Sequence, residues 1–140
     1  PKGYVSLLEW LLGQREGAKV TGFANHYWNG ITTLHFAKLC HGIIKHRMDL
    51  PQVQHVIPDD TVTKYQLLNE FARAYGRVDI DIVRGEASIA LDRTLATRDV
   101  DINSRLWASA GYDVAPTISE MVQELSAYKS PLAQLATPSA

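Results

Sequence analysis

The sequence predicts a small α/β domain that is rich in helices and has a few short strands. Two observations predict this fold: helix-start patterns precede segments with apolar residues at helical spacing, and short β-favouring segments lie between those helices. The strands are expected at 19–23, 53–57 and 78–83, and the helices that cover them at 6–16, 33–47, 63–75, 101–110 and 117–128.

The first helix and the first strand open the chain. Ser6 and Glu9 have the spacing of a capping box, in which each side chain satisfies a backbone donor of the helix start. Gly13 and Gly17 mark the end of this helix, and residues 19–23 then read as a short strand.

A polar turn around Trp28, Asn29 and Gly30 leads into the second helix, and it is the most suggestive local feature of the chain. Gly30 permits a sharp turn and a close approach to the backbone. The threonines at 32 and 33 can cap the helix, whose free N–H groups and dipole suit an anionic ligand or a polar substrate. An ordinary strand-to-helix connection explains the same residues.

The second helix, 33–47, is predicted to be amphipathic. Its buried stripe is expected to consist of Phe36, Ala37, Cys40, Ile43 and Ile44. The opposite face is expected to carry His35, Lys38, Gly42 and Lys45.

The third helix has the clearest start signals. Thr63 and Gln66 form a second capping box, and Leu67, Leu68 and Phe71 supply its core face. Lys64 falls at the first helical position, where the helix dipole mildly disfavours a cation. A lysine there could serve a ligand phosphate, and a solvated surface lysine is the alternative.

Residues 78–83 alternate apolar and acidic side chains, which predicts a half-buried strand with Asp79 and Asp81 as surface charges on one face. After it, Arg93 lies between short polar side chains. The planar guanidinium suits bidentate phosphate recognition. Local chemistry by itself favours a structural salt bridge between Arg93 and Asp92.

The last two helices are predicted from the same kinds of capping signal. Asp101 is the expected cap of a short helix that Gly111 ends. Thr117 and Glu120 form a third capping box at the start of the final helix. The segment 129–140, rich in Ala, Pro and Ser, is expected to be a flexible tail.

Composition excludes several classes of protein. The 140 residues are 46% hydrophobic and carry a net charge of −1, which fits one globular domain without a field for nucleic acid or an anionic membrane. A helix-turn-helix formed by 33–47 and 63–75 is disfavoured by the strand expected between them. The chain shows no signal peptide or membrane-spanning apolar run, so a cytoplasmic protein is expected. Cys40 is the single cysteine, and no histidine pair has the spacing of a zinc site.

Motifs for self-contained catalysis are missing. The sequence has no Gly-x-Gly-x-x-Gly, no phosphate-binding Gly-Lys-Ser/Thr loop, no Gly-x-Ser-x-Gly elbow and no Tyr-x-x-x-Lys pair. We therefore expect no catalytic residue, no cofactor and no metal in this chain.

Five motifs in order nevertheless resemble a known family. They are Ser-Leu-Leu-Glu-Trp (6–10), Trp-Asn-Gly-Ile-Thr-Thr-Leu (28–34), Thr-Lys-Tyr-Gln-Leu-Leu (63–68), Leu-Asp-Arg-Thr-Leu (91–95) and Gly-Tyr-Asp-Val-Ala-Pro (111–116). Together they resemble the C-terminal substrate-binding domain of extended short-chain dehydrogenases/reductases that act on nucleotide sugars. The nearest group is the dTDP-4-dehydrorhamnose reductase-like and nucleotide-sugar epimerase-like enzymes.

The resemblance implies a function for residues 1–128 as a nucleotide-sugar-binding domain. In that family an N-terminal Rossmann domain binds NAD or NADP and carries the catalytic Tyr and Lys, so this chain would lack the hydride-transfer machinery. Arg93 matches an arginine near the nucleotide diphosphate, and the Trp28–Asn29 turn matches the segment that leads to the sugar side of the cleft. Lys64 falls at a matching position as well.

Two further expectations concern the whole polypeptide. The start at Pro1 suggests a piece of a longer enzyme, whose missing Rossmann domain would leave an apolar surface exposed and promote self-association. The alternative is a stand-alone, non-catalytic module that binds a sugar nucleotide or a protein and derives from such a domain.

Overall fold

The computed structural model describes residues 6–128, which form five α-helices and five β-strands. The helices are α1 (Leu7–Leu12), α2 (Thr33–His46), α3 (Lys64–Ala74), α4 (Val100–Ser109) and α5 (Ile118–Ala127). The strands are β1 (Lys19–Phe23), β2 (His26–Trp28), β3 (Val62–Thr63), β4 (Asp81–Gly85) and β5 (Leu91–Arg93). The predicted small α/β domain with short strands is confirmed. The expected tail, 129–140, lies outside the described residues.

The strands form two small sheets. In the first, β1 and β4 pair in parallel, from Lys19 opposite Asp81 to Phe23 opposite Gly85. In the second, β2 is the central strand: β3 pairs with it antiparallel on one side and β5 pairs with it in parallel on the other. Helix α3 contacts both sheets as well as α1 and α5, so it lies at the centre of the domain.

The core is built from the buried faces of helices α1 to α5. Its fully buried large side chains are Leu11, His35, Leu39, Leu68, Leu106, Trp107, Ile118, Met121 and Val122. The three predicted capping boxes are all present, which explains why α1, α3 and α5 begin where the sequence indicates. The cap of α4 is Asp99 rather than Asp101, because the Asp99 carboxylate accepts from the N–H of Ile102.

The predicted strand at 53–57 is wrong. Its residues form an irregular segment in which Val53 is 75% exposed. At its end the backbone of Ile57 is bonded to side chains of α4: its N–H donates to Asn103 Oδ1 at 3.0 Å, and its carbonyl accepts from Trp107 Nε1 at 2.8 Å. Because side chains satisfy these two groups, Ile57 needs no neighbouring strand.

The predicted orientation of α2 is also wrong. His35, Leu39 and Gly42 are its buried residues, whereas Phe36 is 62% exposed and Ile44 75% exposed. Of the other residues expected in the buried stripe, Ala37 is exposed, and Cys40 and Ile43 are half-buried. The reason is a close helix crossing, since a Cβ added at Gly42 would lie 2.5 Å from the carbonyl oxygen of Ser109 on α4.

Strand β4 begins later than expected, and this changes the role of Asp79. Asp81 is exposed and lies 3.5 Å from Lys19, as a surface charge would. Asp79 precedes the strand and holds Arg77, with Nε at 2.9 Å and Nη2 at 3.0 Å from its two oxygens. The Gly17 N–H also donates to Asp79, at 3.1 Å, so this carboxylate ties the α1–β1 connection to the start of β4.

The first prediction concerns pH. The hydrogen bonds from Arg77 lower the pKa of Asp79 from 3.8 to about 2. Since the folded-state pKa lies below the unfolded one, this carboxylate stabilises the fold above pH ~4 and loses that effect as the pH falls to ~2. Asp79→Asn is therefore expected to lower the free energy of unfolding at pH 7, with a difference from the unaltered protein that shrinks toward pH 2. Urea denaturation across this range measures it.

Asp81→Asn is the matched control, because Asp81 is the other acidic residue of this segment and its partner Lys19 is 73% exposed. An exposed pair of this kind is expected to change the stability little. Equal losses for the two variants would contradict the role assigned to Asp79.

Candidate functional site

A cavity of about 550 Å³ opens where the three-stranded sheet meets the starts of α1, α2 and α3. Its polar lining consists of Ser6, His26, Tyr27, Thr32, Thr33, Lys64 and Arg93. Its apolar lining consists of Leu7, Leu8, Trp28, Ile31, Leu67, Phe71 and Leu125. This volume lies within the range of small-molecule sites, and such sites commonly combine apolar walls with a few polar groups.

The two cations of the cavity are placed by the central strand β2. Trp28 on β2 is paired with Arg93 on β5, and Tyr27 is paired with Thr63, the residue before Lys64. Since β3 and β5 flank β2, the backbones that carry the two cations are two strand spacings apart, about 10 Å. The long side chains of Arg93 and Lys64 can therefore reach one ligand from both sides.

Arg93 is not engaged with its sequence neighbour. Among residues 6–128, no ion pair or hydrogen bond of its guanidinium occurs, so the salt bridge with Asp92 expected from local chemistry is not formed. Asp92 instead accepts from the backbone N–H of Thr94 at 2.9 Å and from its hydroxyl at 2.7 Å. Those bonds lower the pKa of Asp92 and occupy one of its oxygens.

Lys64 is likewise without a carboxylate partner among the described residues. Its ammonium group lies 5.4 Å from the centre of the Phe23 ring, a cation–π distance. None of the residues that line the cavity is acidic, whereas two of them, Lys64 and Arg93, are basic. The charges of the cavity wall therefore favour an anionic ligand.

Asn29 has a different position from the other three predicted site residues. It is 6% exposed and does not line the cavity. Its side-chain amide donates to the Leu95 carbonyl at 2.8 Å, and its side-chain oxygen accepts from the Leu95 N–H at 2.7 Å. Asn29 thus links the segment after β2 to the segment after β5. Because Leu95 follows Arg93 by two residues, these bonds also fix the backbone near Arg93.

Gly30 has a close neighbour that the sequence does not reveal. A Cβ added there would lie 2.3 Å from Cζ2 of the Trp28 ring. The close approach that Gly30 permits is therefore made by Trp28, whose indole folds back over the turn and forms part of the cavity wall.

The second prediction follows from this contact. Gly30→Ala is expected to lower the free energy of unfolding by about 1–3 kcal/mol, as overpacking does, and to displace the Trp28 indole from the cavity wall. In a Trp28→Ala background the same substitution should cost much less, because the clashing ring is absent. Urea denaturation of the two single variants and the double variant measures the coupling. Additive losses would contradict the contact.

Sequence reasoning missed several residues of the site. Tyr27 and His26 belong to β2, a strand that the sequence analysis did not predict, and Phe71 was assigned to the core alone. Thr32 was proposed only as a cap; it is the N-cap of α2 and also lines the cavity. Its signal in the sequence is the pair of threonines at the helix start.

The fold resembles part of a Rossmann-type reductase. The described chain is similar to a dTDP-4-dehydrorhamnose reductase from Clostridium acetobutylicum, with a TM-score of 0.59 and 12% identity over 88% of this chain. It is also similar to a dTDP-4-dehydrorhamnose reductase from Bacillus anthracis in complex with NADP, with a TM-score of 0.62 and 9% identity over 88% of this chain. At these identities the likeness establishes the fold.

The chain spans 43% and 42% of the lengths of those two solved chains. No family model matches it, and no curated protein matches it. None of the helices in residues 6–128 is long and apolar enough to cross a membrane. Within the same residues no three His, Cys, Asp or Glu side chains are grouped as metal ligands.

Proposed function

We propose that this chain is the nucleotide-sugar-binding part of an NAD(P)-dependent nucleotide-sugar reductase or epimerase. The observation that carries the proposal is the cavity at β2, which has no acidic residue in its lining and two cations, Lys64 and Arg93, that form no ion pair within residues 6–128. The fold similarity to two dTDP-4-dehydrorhamnose reductases supports the same assignment.

The chemistry of the cavity suits each part of such a ligand. Arg93 offers a planar donor fork and Lys64 a point charge, which together match the oxygens of a diphosphate. Trp28 and Tyr27 present aromatic surface against which a nucleobase or a sugar ring can pack. Arg93, Lys64 and Trp28 therefore contact the ligand directly, and Asn29 acts by holding the Arg93 segment in place.

The dinucleotide cofactor does not fit the described residues. A dinucleotide-binding turn uses several glycines so that the pyrophosphate can approach the backbone. The β2–α2 connection has only Gly30, and the space next to it is filled by the Trp28 indole. We therefore assign NAD or NADP, together with hydride transfer, to the rest of a longer enzyme and not to this chain.

The exposed face of α2 supports a partner domain. Phe36, Ala37 and Ile44 are exposed on one side of α2, with the half-buried Cys40 between them, and Phe36 and Ile44 are more than half exposed. We propose that the Rossmann domain covers this face in the longer enzyme.

Without that domain the chain should self-associate through the exposed face of α2. Phe36→Ser combined with Ile44→Ser should yield a monomer in sedimentation equilibrium.

Calorimetric titration of the chain with dTDP, dTDP-glucose and thymidine tests the proposed function. Binding of the two diphosphates, weakened by salt and absent for thymidine, is the expected result because the cations recognise phosphate. Absence of binding to all three ligands would overturn the proposal. If thymidine bound as tightly as dTDP and dTDP-glucose, Lys64 and Arg93 would have no role in recognising phosphate. Binding by a native polypeptide of only this length would favour the alternative, a stand-alone module.

A further inference from the structure

His35 is a fully buried histidine that joins the cavity wall to a charged cluster. Its side chain has 0% exposure. On one side its Nδ1 lies 2.7 Å from the hydroxyl of Thr32, which lines the cavity. On the other side its Nε2 lies 3.5 Å from Glu124 Oε2, without the geometry of a hydrogen bond, and it has no other partner in residues 6–128.

The charge state of Glu124 is fixed by two donors. Lys38 Nζ lies 2.5 Å and the Tyr112 hydroxyl 2.7 Å from the same oxygen, Oε2. Burial acts to raise the pKa of Glu124, but these hydrogen bonds outweigh it and leave that pKa below its ordinary value. Glu124 is therefore a carboxylate at neutral pH, and His35 faces a negative charge.

The position of the proton on His35 follows. Burial lowers the pKa of His35, so the ring is neutral at neutral pH and carries one N–H. A proton on Nε2 lies near the Glu124 carboxylate and is attracted by its charge, whereas a proton on Nδ1 would leave the Nε2 lone pair near that carboxylate. The Nε2–H tautomer is therefore favoured, and Nδ1 accepts the hydroxyl proton of Thr32.

In this arrangement the only donor of the Thr32 side chain is already bonded to His35. The same hydroxyl oxygen accepts from the backbone N–H of His35 at 3.3 Å, which is the helix cap. A threonine hydroxyl has one proton and two lone pairs, so a single lone pair is left for a ligand. At the Thr32 hydroxyl, a phosphate oxygen would meet an acceptor and a sugar hydroxyl would find a partner.

We propose that His35 is a positioning residue that fixes the Thr32 hydroxyl as a hydrogen-bond acceptor, so that Thr32 binds a hydroxyl of the sugar and the cations Lys64 and Arg93 bind the diphosphate. The inference rests on the proposed function, and it adds the direction in which the ligand lies. The sugar is recognised at the start of α2, and the phosphates at β5 and the start of α3.

Nitrogen-15 NMR of the imidazole rings tests the tautomer directly in the unaltered chain. The expected result is a neutral His35 with a protonated Nε2 and an unprotonated Nδ1. A protonated Nδ1 would overturn the proposal, because Thr32 could then donate to a ligand. This measurement needs neither a ligand nor a variant, so it is independent of the proposed function.

Binding of dTDP-glucose and of dTDP to Thr32 variants tests the recognition. Thr32→Val is expected to weaken dTDP-glucose at least fivefold and leave dTDP unchanged, and Thr32→Ser to restore both affinities. Thr117→Val is the matched control, since it removes the cap of α5 away from the cavity. If Thr32→Val lowered the affinity for both ligands equally, or for neither, the inference would be overturned. Failure of the unaltered chain to bind either ligand would instead count against the proposed function.

Discussion

Arg93→Ala is expected to weaken the binding of dTDP-glucose by about 10- to 100-fold. The estimate corresponds to the loss of charge-assisted hydrogen bonds of about 1.5–3 kcal/mol in total. The guanidinium makes no ion pair within residues 6–128, so its removal breaks no internal contact of that kind, and the loss should fall on ligand binding. Calorimetric titration gives the affinity, and urea denaturation checks that the fold is kept.

Arg84→Ala is the control for net charge, because Arg84 is an exposed arginine on β4 that does not line the cavity. Arg93→Lys separates charge from shape: a point charge should recover part of the affinity but not the bidentate contact. If Arg84→Ala and Arg93→Ala weakened binding equally, Arg93 would be acting through the overall field and not through contact.

Trp107→Ala is expected to lower the free energy of unfolding by about 3–5 kcal/mol, as truncation of a buried tryptophan does. Trp107 has 0% exposure, and its ring stands edge-on to Tyr112 with 5.5 Å between the ring centres. Its Nε1–H also donates to the Ile57 carbonyl, which anchors the irregular segment before α3. The total free energy of unfolding of a domain of this size is about 5–15 kcal/mol. Urea denaturation should therefore show that the variant is only marginally stable.

Trp10→Ala provides the comparison, because Trp10 is 37% exposed and belongs to the surface of α1. Its loss should be well below that of Trp107→Ala. Trp107→Phe keeps an aromatic ring and removes the donor to Ile57, so its loss should lie between those of Trp10→Ala and Trp107→Ala. A Trp107→Ala variant within ~1 kcal/mol of the unaltered protein would contradict the central role of this side chain.

The sequence predicts best where the physics is local. A capping box needs residues three positions apart, so Thr63 with Gln66 could be found from the sequence and is confirmed. Which side of a helix is buried depends on what crosses it. The apolar residues of α2 indicate one face, but the contact of Gly42 with α4 decides for the other. The strand predicted at 53–57 is wrong for the same reason, since the backbone of Ile57 bonds to side chains of a helix 46–50 positions away.

In the candidate site, too, some features could be predicted from the sequence and others depend on contacts between distant segments. Trp28, Lys64 and Arg93 were chosen by residue chemistry and resemblance, and the structure brings all three to one cavity. Whether they bind a ligand remains a prediction. Asn29 was chosen with them, but its contacts with Leu95 lie behind the cavity wall. The cluster of His35 with Glu124 could not be predicted, because it joins residues of α2 and α5 that only the folded chain brings together.

The central position of β2 in its sheet also has a consequence for the order of folding. The two cations flank a strand of three residues, and the Asn29–Leu95 clamp spans 66 positions of the chain. Closing so long a loop costs entropy that is recovered only when the whole sheet has formed, so the cavity can exist only in the completed domain. A ligand of this cavity therefore binds the native state alone and raises its midpoint of thermal unfolding with concentration. A thermal-shift screen consequently reports on occupation of this cavity and on completion of the fold in the same experiment.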